Sequence, residues 1–144
     1  MKVFVDANVL VSAVATRGLC ADVLREVLAS HDLVVSEQVL DETGRVLRGK
    51  LGVGAEPVAE YVRLLRQDAV VVRPGRFPAV EVNDRDDLPI LAAAVAAGAD
   101  VLLTGDRELL ELKVVEGVEV LSPRQFWEKL RPRRAPRPGR GSPD

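Results

Sequence analysis

The sequence predicts an α/β fold, a three-layer α/β/α sandwich around a short central parallel sheet. Short β-branched apolar runs alternate with longer helical stretches along the chain. The runs are continuous and lack the in-out alternation of a half-solvated sheet, as in strands covered on both faces. Strand, helix and strand in succession read as βαβ units with right-handed crossovers, and no internal repeat is visible.

The first strand is Val3-Phe4-Val5, followed at once by Asp6. Residues 19–29 form an amphipathic helix with Leu19, Val23, Leu24, Val27 and Leu28 along one stripe. Leu33-Val34-Val35 is the second strand, and Ser36 caps a helix that turns Val39, Val46 and Leu47 inward. Pro57 suits the first turn of a third helix carrying Val58, Tyr61, Val62 and Leu65, and Ala69 to Val72 is the next strand. An alanine-rich helix occupies residues 87–97, with Gly98 as its stop. Pro89 is tolerated only in a first turn, so this helix begins near Asp86 or Asp87. Val101-Leu102-Leu103 and Val118 to Leu121 complete the sheet, and Ser122-Pro123 opens a last helix through Phe126, Trp127 and Leu130.

The chain has 144 residues, 47% of them hydrophobic, enough to close one core without disulfides or metal staples. Its single cysteine, Cys20, has no intrachain partner, which fits a reducing cytoplasm. With His31 the only histidine, the composition excludes a zinc site of Cys and His ligands and paired histidines for acid–base work. Any catalysis must rest on carboxylates. Asp6 interrupts the apolar N-terminus, and Ala92 to Ala97 falls far short of the ~18 apolar residues of a membrane span, so the expectation is a cytoplasmic protein without membrane contact. Residues 131–144 hold five Arg and one Asp, leaving residues 1–130 with a net charge of −6. That segment carries four Pro and two Gly with no large aliphatic side chain, and reads as a disordered tail after a domain spanning 1–130. It is either a polycation for nucleic acid or an acidic partner, or a solvated extension.

In open parallel sheets the functional crevice lies beyond the carboxyl ends of the strands. Asp6 and Asp106 both stand at strand exits, where each also suits the cap of the following helix. Around Glu42 the positions three and four away include Val39 and Val46, so Glu42 shares the inward row, whereas Asp41 faces solvent. Asp87 continues the stripe of Ile90, Leu91 and Ala94, while Asp84 and Asp86 look like caps or loop acids. Two readings follow for Asp6, Glu42, Asp87 and Asp106. Either they never meet and each serves its own element, or they converge. Two carboxylates ~4 Å apart repel by about 4 kcal/mol at an effective dielectric near 20, so convergence demands a hard cation, Mg²⁺ or Mn²⁺.

The ordered set of motifs resembles the PIN domain family. It comprises Val3-Phe4-Val5-Asp6-Ala7-Asn8 running on to Ser12, Ser36 with Glu42, Asp84-Arg85-Asp86-Asp87 before an alanine-rich helix, Val101-Leu102-Leu103-Thr104-Gly105-Asp106, and Val120-Leu121-Ser122-Pro123-Arg124-Gln125-Phe126. The resemblance covers residues 2 to 130. It implies a metal-dependent ribonuclease similar to VapC-like toxins of toxin–antitoxin pairs, acting on RNA, binding an antitoxin across the crevice and forming a homodimer. Family roles then make Asp6, Glu42, Asp87 and Asp106 the acidic metal site, with Asn8 and Ser12 as polar supports and Thr104 as a hydroxyl behind the ligands. One departure is Ala7, where many members carry Thr. Glu108 is either an extra acid or a surface residue of a short helix.

Hydrolysis at such a site leaves a 5′-phosphate and a 3′-hydroxyl. Arg17, Arg45, Arg48, Lys50 and Arg107 are the basic residues nearest in sequence to the site elements and candidates for phosphate contact. The few aromatic residues argue against a base-stacking sheet. Two other functions compete: a non-catalytic RNA- or antitoxin-binding module, and an aspartate-nucleophile phosphatase built on Asp6. The phosphatase typically needs a second Asp where this chain has Asn8.

Overall fold

Consecutive residues of a strand point to opposite faces, so a strand buried throughout must be covered on both sides. Val3, Phe4 and Val5 of β1 (Lys2–Val5) and all of β4 (Val101–Leu103) are at most 1% exposed. In the computed structural model these strands lie at the centre of a six-stranded sheet ordered β3-β2-β1-β4-β6-β5. The others are β2 (Asp32–Ser36), β3 (Val70–Val72), β5 (Val114–Val115) and β6 (Val118–Leu121). The structure describes residues 1–130; the Arg- and Pro-rich segment 131–144 lies outside the described residues.

Helices α1 (Ala7–Ala15), α2 (Leu19–Ser30), α3 (Glu37–Gly49), α4 (Ala55–Asp68), α5 (Asp87–Ala96), α6 (Arg107–Leu112) and α7 (Pro123–Leu130) complete the three layers. Ser36 caps α3, its hydroxyl accepting from the Val39 amide at 3.3 Å. Gly98, at φ +66°, takes the left-handed conformation that ends α5. Tyr61 on α4 donates its hydroxyl to the Leu10 carbonyl at 2.8 Å, tying α4 to α1. No single helix among the described residues is long and apolar enough to cross a membrane.

Three local expectations change. The sheet gains the edge strand β5, antiparallel to β6, where the chain reverses through Glu116 (φ 46°) and Gly117 (φ 87°). Two residues are too few to show a period. Leu28 is 42% exposed, because the buried stripe of α2 ends at Val27 and the next residue turns about 100° away. On α3 the buried row is Val39, Leu40, Thr43 and Leu47, and Val46 is only half-buried. Thr43 enters the core by donating its hydroxyl to the Val39 carbonyl at 2.7 Å. Glu42 therefore sits on the margin of this row, half-buried.

Candidate metal centre

Strands β1 and β4 are parallel, with Val5 opposite Leu103, so Asp6 and Thr104 emerge side by side at the carboxyl edge of the sheet. Asp6 is 7% exposed and Thr104 is fully buried. The Thr104 hydroxyl donates to Asp6 Oδ2 at 2.9 Å, and the Ala7 amide donates to Asp6 Oδ1 at 2.8 Å. Asn8 donates through Nδ2 to Asp6 Oδ2 and to Thr104 Oγ1, each at 3.4 Å, while its Oδ1 accepts from the Gly105 amide at 2.8 Å. Thr104 Oγ1 also accepts from the Asp106 amide at 3.0 Å. Asn8 and Thr104 thus lace the two strand exits together and hold the loop that carries Asp106.

Asp106 caps α6, its Oδ1 accepting from the Glu108 amide at 2.8 Å and the Leu109 amide at 3.4 Å. Capping and site formation are compatible. The helix cap occupies one carboxylate oxygen, and the carboxylate remains in the cavity wall.

A cavity of about 210 Å³ opens at this edge, lined by Asp6, Asn8, Glu42, Asp87 and Asp106, together with Gln38, Arg45, Asp84, Asp86 and Ile90. All four acids singled out from the sequence therefore face one space. Asp84 and Asp86, read as loop acids, also line it. Gln38 on α3 donates to the Asp86 carbonyl at 3.0 Å, pinning the loop before α5 against α3. The Asp84 carboxylate accepts from the Asp86 amide at 2.9 Å, which sets the turn into the helix. Asp87 Oδ2 is shielded from solvent and has no hydrogen-bond partner among the described residues.

The electrostatics record the crowding. Burial, reinforced by Glu42 and Asp106, pushes the Asp6 carboxyl up to about 6 against the pull of Thr104 and the Ala7 amide. Burial, then Asp106, Asp84, Asp6 and Glu108, pushes Asp87 up to about 7. An acid so placed holds its proton near neutrality unless positive charge arrives.

The tightest grouping includes Glu108. Carboxylate oxygens of Asp87, Asp106 and Glu108 all lie within 4.8 Å of one another. Glu108 accepts a hydrogen bond from Asn83 and borders an adjoining hollow with Glu81 and Glu111. The sequence signal was its place two residues after Asp106, in the same first helical turn. Ser12 does not line the cavity. Among Arg17, Arg45, Arg48, Lys50 and Arg107, Arg45 alone lines it.

The chain matches the PIN domain family over residues 2–108. Its fold is similar to that in the crystal structure of VapBC2 from Rickettsia felis bound to a DNA fragment from their promoter. That comparison gives a TM-score of 0.58 at 16% identity, covering 85% of this chain and 98% of the other. It is also similar to PAE2754 from Pyrobaculum aerophilum, with a TM-score of 0.53 at 19% identity, covering 92% and 96% of the two chains. No curated protein matches the sequence.

Proposed function

Because the chain belongs to the PIN domain family, we propose that it is a Mg²⁺- or Mn²⁺-dependent endoribonuclease and the toxin of a toxin–antitoxin pair. One observation carries the reading: Asp6, Glu42, Asp87 and Asp106 from four separate elements share one small cavity, with Asp87 Oδ2 buried and unpartnered. A purely structural set of acids would pair or solvate each of its oxygens. The likeness to VapBC2 supports the toxin role and an antitoxin as protein partner.

The residues fit a hard cation. Every donor is oxygen, the charge is concentrated, and the orphaned Asp87 oxygen needs a positive partner. Asp6, Glu42, Asp87 and Asp106 would hold the ion, with Glu108 within reach of the last two. When bound, such an ion lowers the pKa of water and offsets charge developing on phosphodiester oxygens. The chain's own contribution is orientation. Thr104 and Asn8 fix the rotamer of Asp6, and the Asn8 clamp on Gly105 sets the position of Asp106. Thr104 and Asn8 are thus the polar supports of the site.

The phosphatase reading loses ground here, since Asp6 is nearly buried and both of its oxygens are engaged. The test is incubation of the full chain with RNA in Mn²⁺ or Mg²⁺, beside an EDTA control and the Asp6→Asn variant. Cleavage that needs metal and disappears in the variant supports the proposal. RNA binding without cleavage favours the non-catalytic module.

A further inference from the structure

Among the described residues, the acidic cavity is lined by six carboxylates and a single cation, Arg45. Arg45 also lines a second, larger space, an open groove of about 640 Å³ between α3 and α4, whose wall continues to Arg48. The two spaces are thus joined at one guanidinium. Glu42, Arg45 and Arg48 follow at intervals of three along α3, a slanted row that rises about 9 Å. Arg25, Arg63, Arg66 and Arg76 are each paired with a carboxylate. Arg45 and Arg48 are exposed and make no ion pair or hydrogen bond with any described residue. Their donors are free for a ligand.

Among the described residues, the groove has an apolar floor of Leu40, Val58 and Val62, one acid, Asp41, and no aromatic side chain. A planar guanidinium fork matches phosphate oxygens, and an apolar floor accepts ribose and base edges without reading sequence. An acidic crevice repels a polyanion. The strand must therefore meet positive charge at the lip of the cavity, and among the described residues Arg45 is the cation found there.

We propose that Arg45 and Arg48 form a phosphate track leading the RNA strand from the acidic cavity along α3 into the α3–α4 groove, with Arg45 as the substrate-positioning residue. This rests on the ribonuclease reading above. Because its hydrogen bonds go to phosphate and none to the bases, the track confers affinity and register with little sequence preference.

The test uses the full chain and a fluorescein-labelled oligouridylate. Binding is followed by anisotropy in EDTA over a range of KCl, and cleavage is measured separately in Mn²⁺. Arg45→Ala should weaken binding about tenfold and reduce the salt slope by about 0.7, the share of one phosphate contact on a single strand; adding Arg48→Ala should double the change in slope. In cleavage, KM should rise by a similar factor with kcat little changed, and Arg45→Lys should restore the slope. Arg25→Ala and Arg124→Ala, which alter neither cavity, should leave binding alone. A double variant with the parent slope and KM overturns the track, and so do control variants that lose as much. If the parent binds RNA through Arg45 yet cuts none in Mn²⁺, the track stands and the nuclease reading fails. If the parent cuts RNA and the double variant cuts it equally well, the track alone fails and the groove belongs to a protein partner. Absence of any RNA binding removes both.

Discussion

Replacing Asp6 with Asn in the metal-free protein should stabilise it at neutral pH and destabilise it in acid. The Asp6 carboxyl is 7% exposed, and its pKa is raised from 3.8 to about 6, chiefly by burial. At 1.36 kcal/mol per pH unit, that displacement is worth about 3 kcal/mol. The folded-state value lies above the unfolded one, so the native state binds more protons between them. The stabilisation from protonated Asp6 is complete below about pH 4 and is lost as pH rises through about 6. Asn carries no such titration, but it cannot accept the Thr104 hydroxyl proton at the amide nitrogen, a loss of about 1 kcal/mol. The variant should therefore be more stable than the parent by about 2 kcal/mol at pH 7.5 and less stable by about 1 kcal/mol at pH 3. For a chain of this size these differences correspond to a Tm about 6 °C higher and about 3 °C lower. Thermal melts by circular dichroism in EDTA across this range should show the two Tm curves crossing near pH 4.5. Parallel curves, with Asn the less stable at every pH by one constant amount, would refute the idea that Asp6 is held under charge strain.

Four further outcomes follow from the same geometry. Mn²⁺ at a hundred times its Kd should stabilise the parent by about 2.7 kcal/mol, and Asp106→Asn should blunt the rise in Tm; an undiminished rise removes Asp106 from the ligand set. Glu108→Gln should weaken Mn²⁺ binding in isothermal titration, because its oxygen lies within reach of Asp87 and Asp106. Affinity equal to the parent would make Glu108 a partner of Asn83 alone. Thr104→Val keeps the volume but removes both the donor to Asp6 and the acceptor of the Asp106 amide, at a cost of about 2 kcal/mol in urea unfolding, with RNA cleavage falling in parallel. Deleting residues 131–144, with their five Arg, should flatten the salt dependence of RNA binding if the tail holds phosphates, and an unchanged slope would make it a passive extension.

Much of the fold was legible because its signals are local. The β-branched runs at Val3-Phe4-Val5 and Val101-Leu102-Leu103 became central strands, and Ser36 became a helix cap, since burial on two faces and a hydroxyl before a helix both leave their mark within a few residues. The four acids at strand exits and on inward helix rows could be picked out for the same reason. Other features left no local mark. The edge strand β5 is too short for a period, and Leu28 missed the stripe by one residue.

The order of residues along the chain determined which way each side chain faces on its own helix or strand, and so it named Asp6, Glu42, Asp87 and Asp106. Tertiary structure alone decided what each of them meets. The order β3-β2-β1-β4-β6-β5 and the pairing of Val5 with Leu103 set Asp6 against Thr104 across nearly a hundred residues of chain. It brought Glu108 to Asp87, left Ser12 out of the cavity wall, and put Arg45 instead of Arg17 or Lys50 at the lip of the cavity. Periodicity encodes direction relative to an element's own axis, whereas distances between elements come from sheet order and register, which are settled only when the whole core packs.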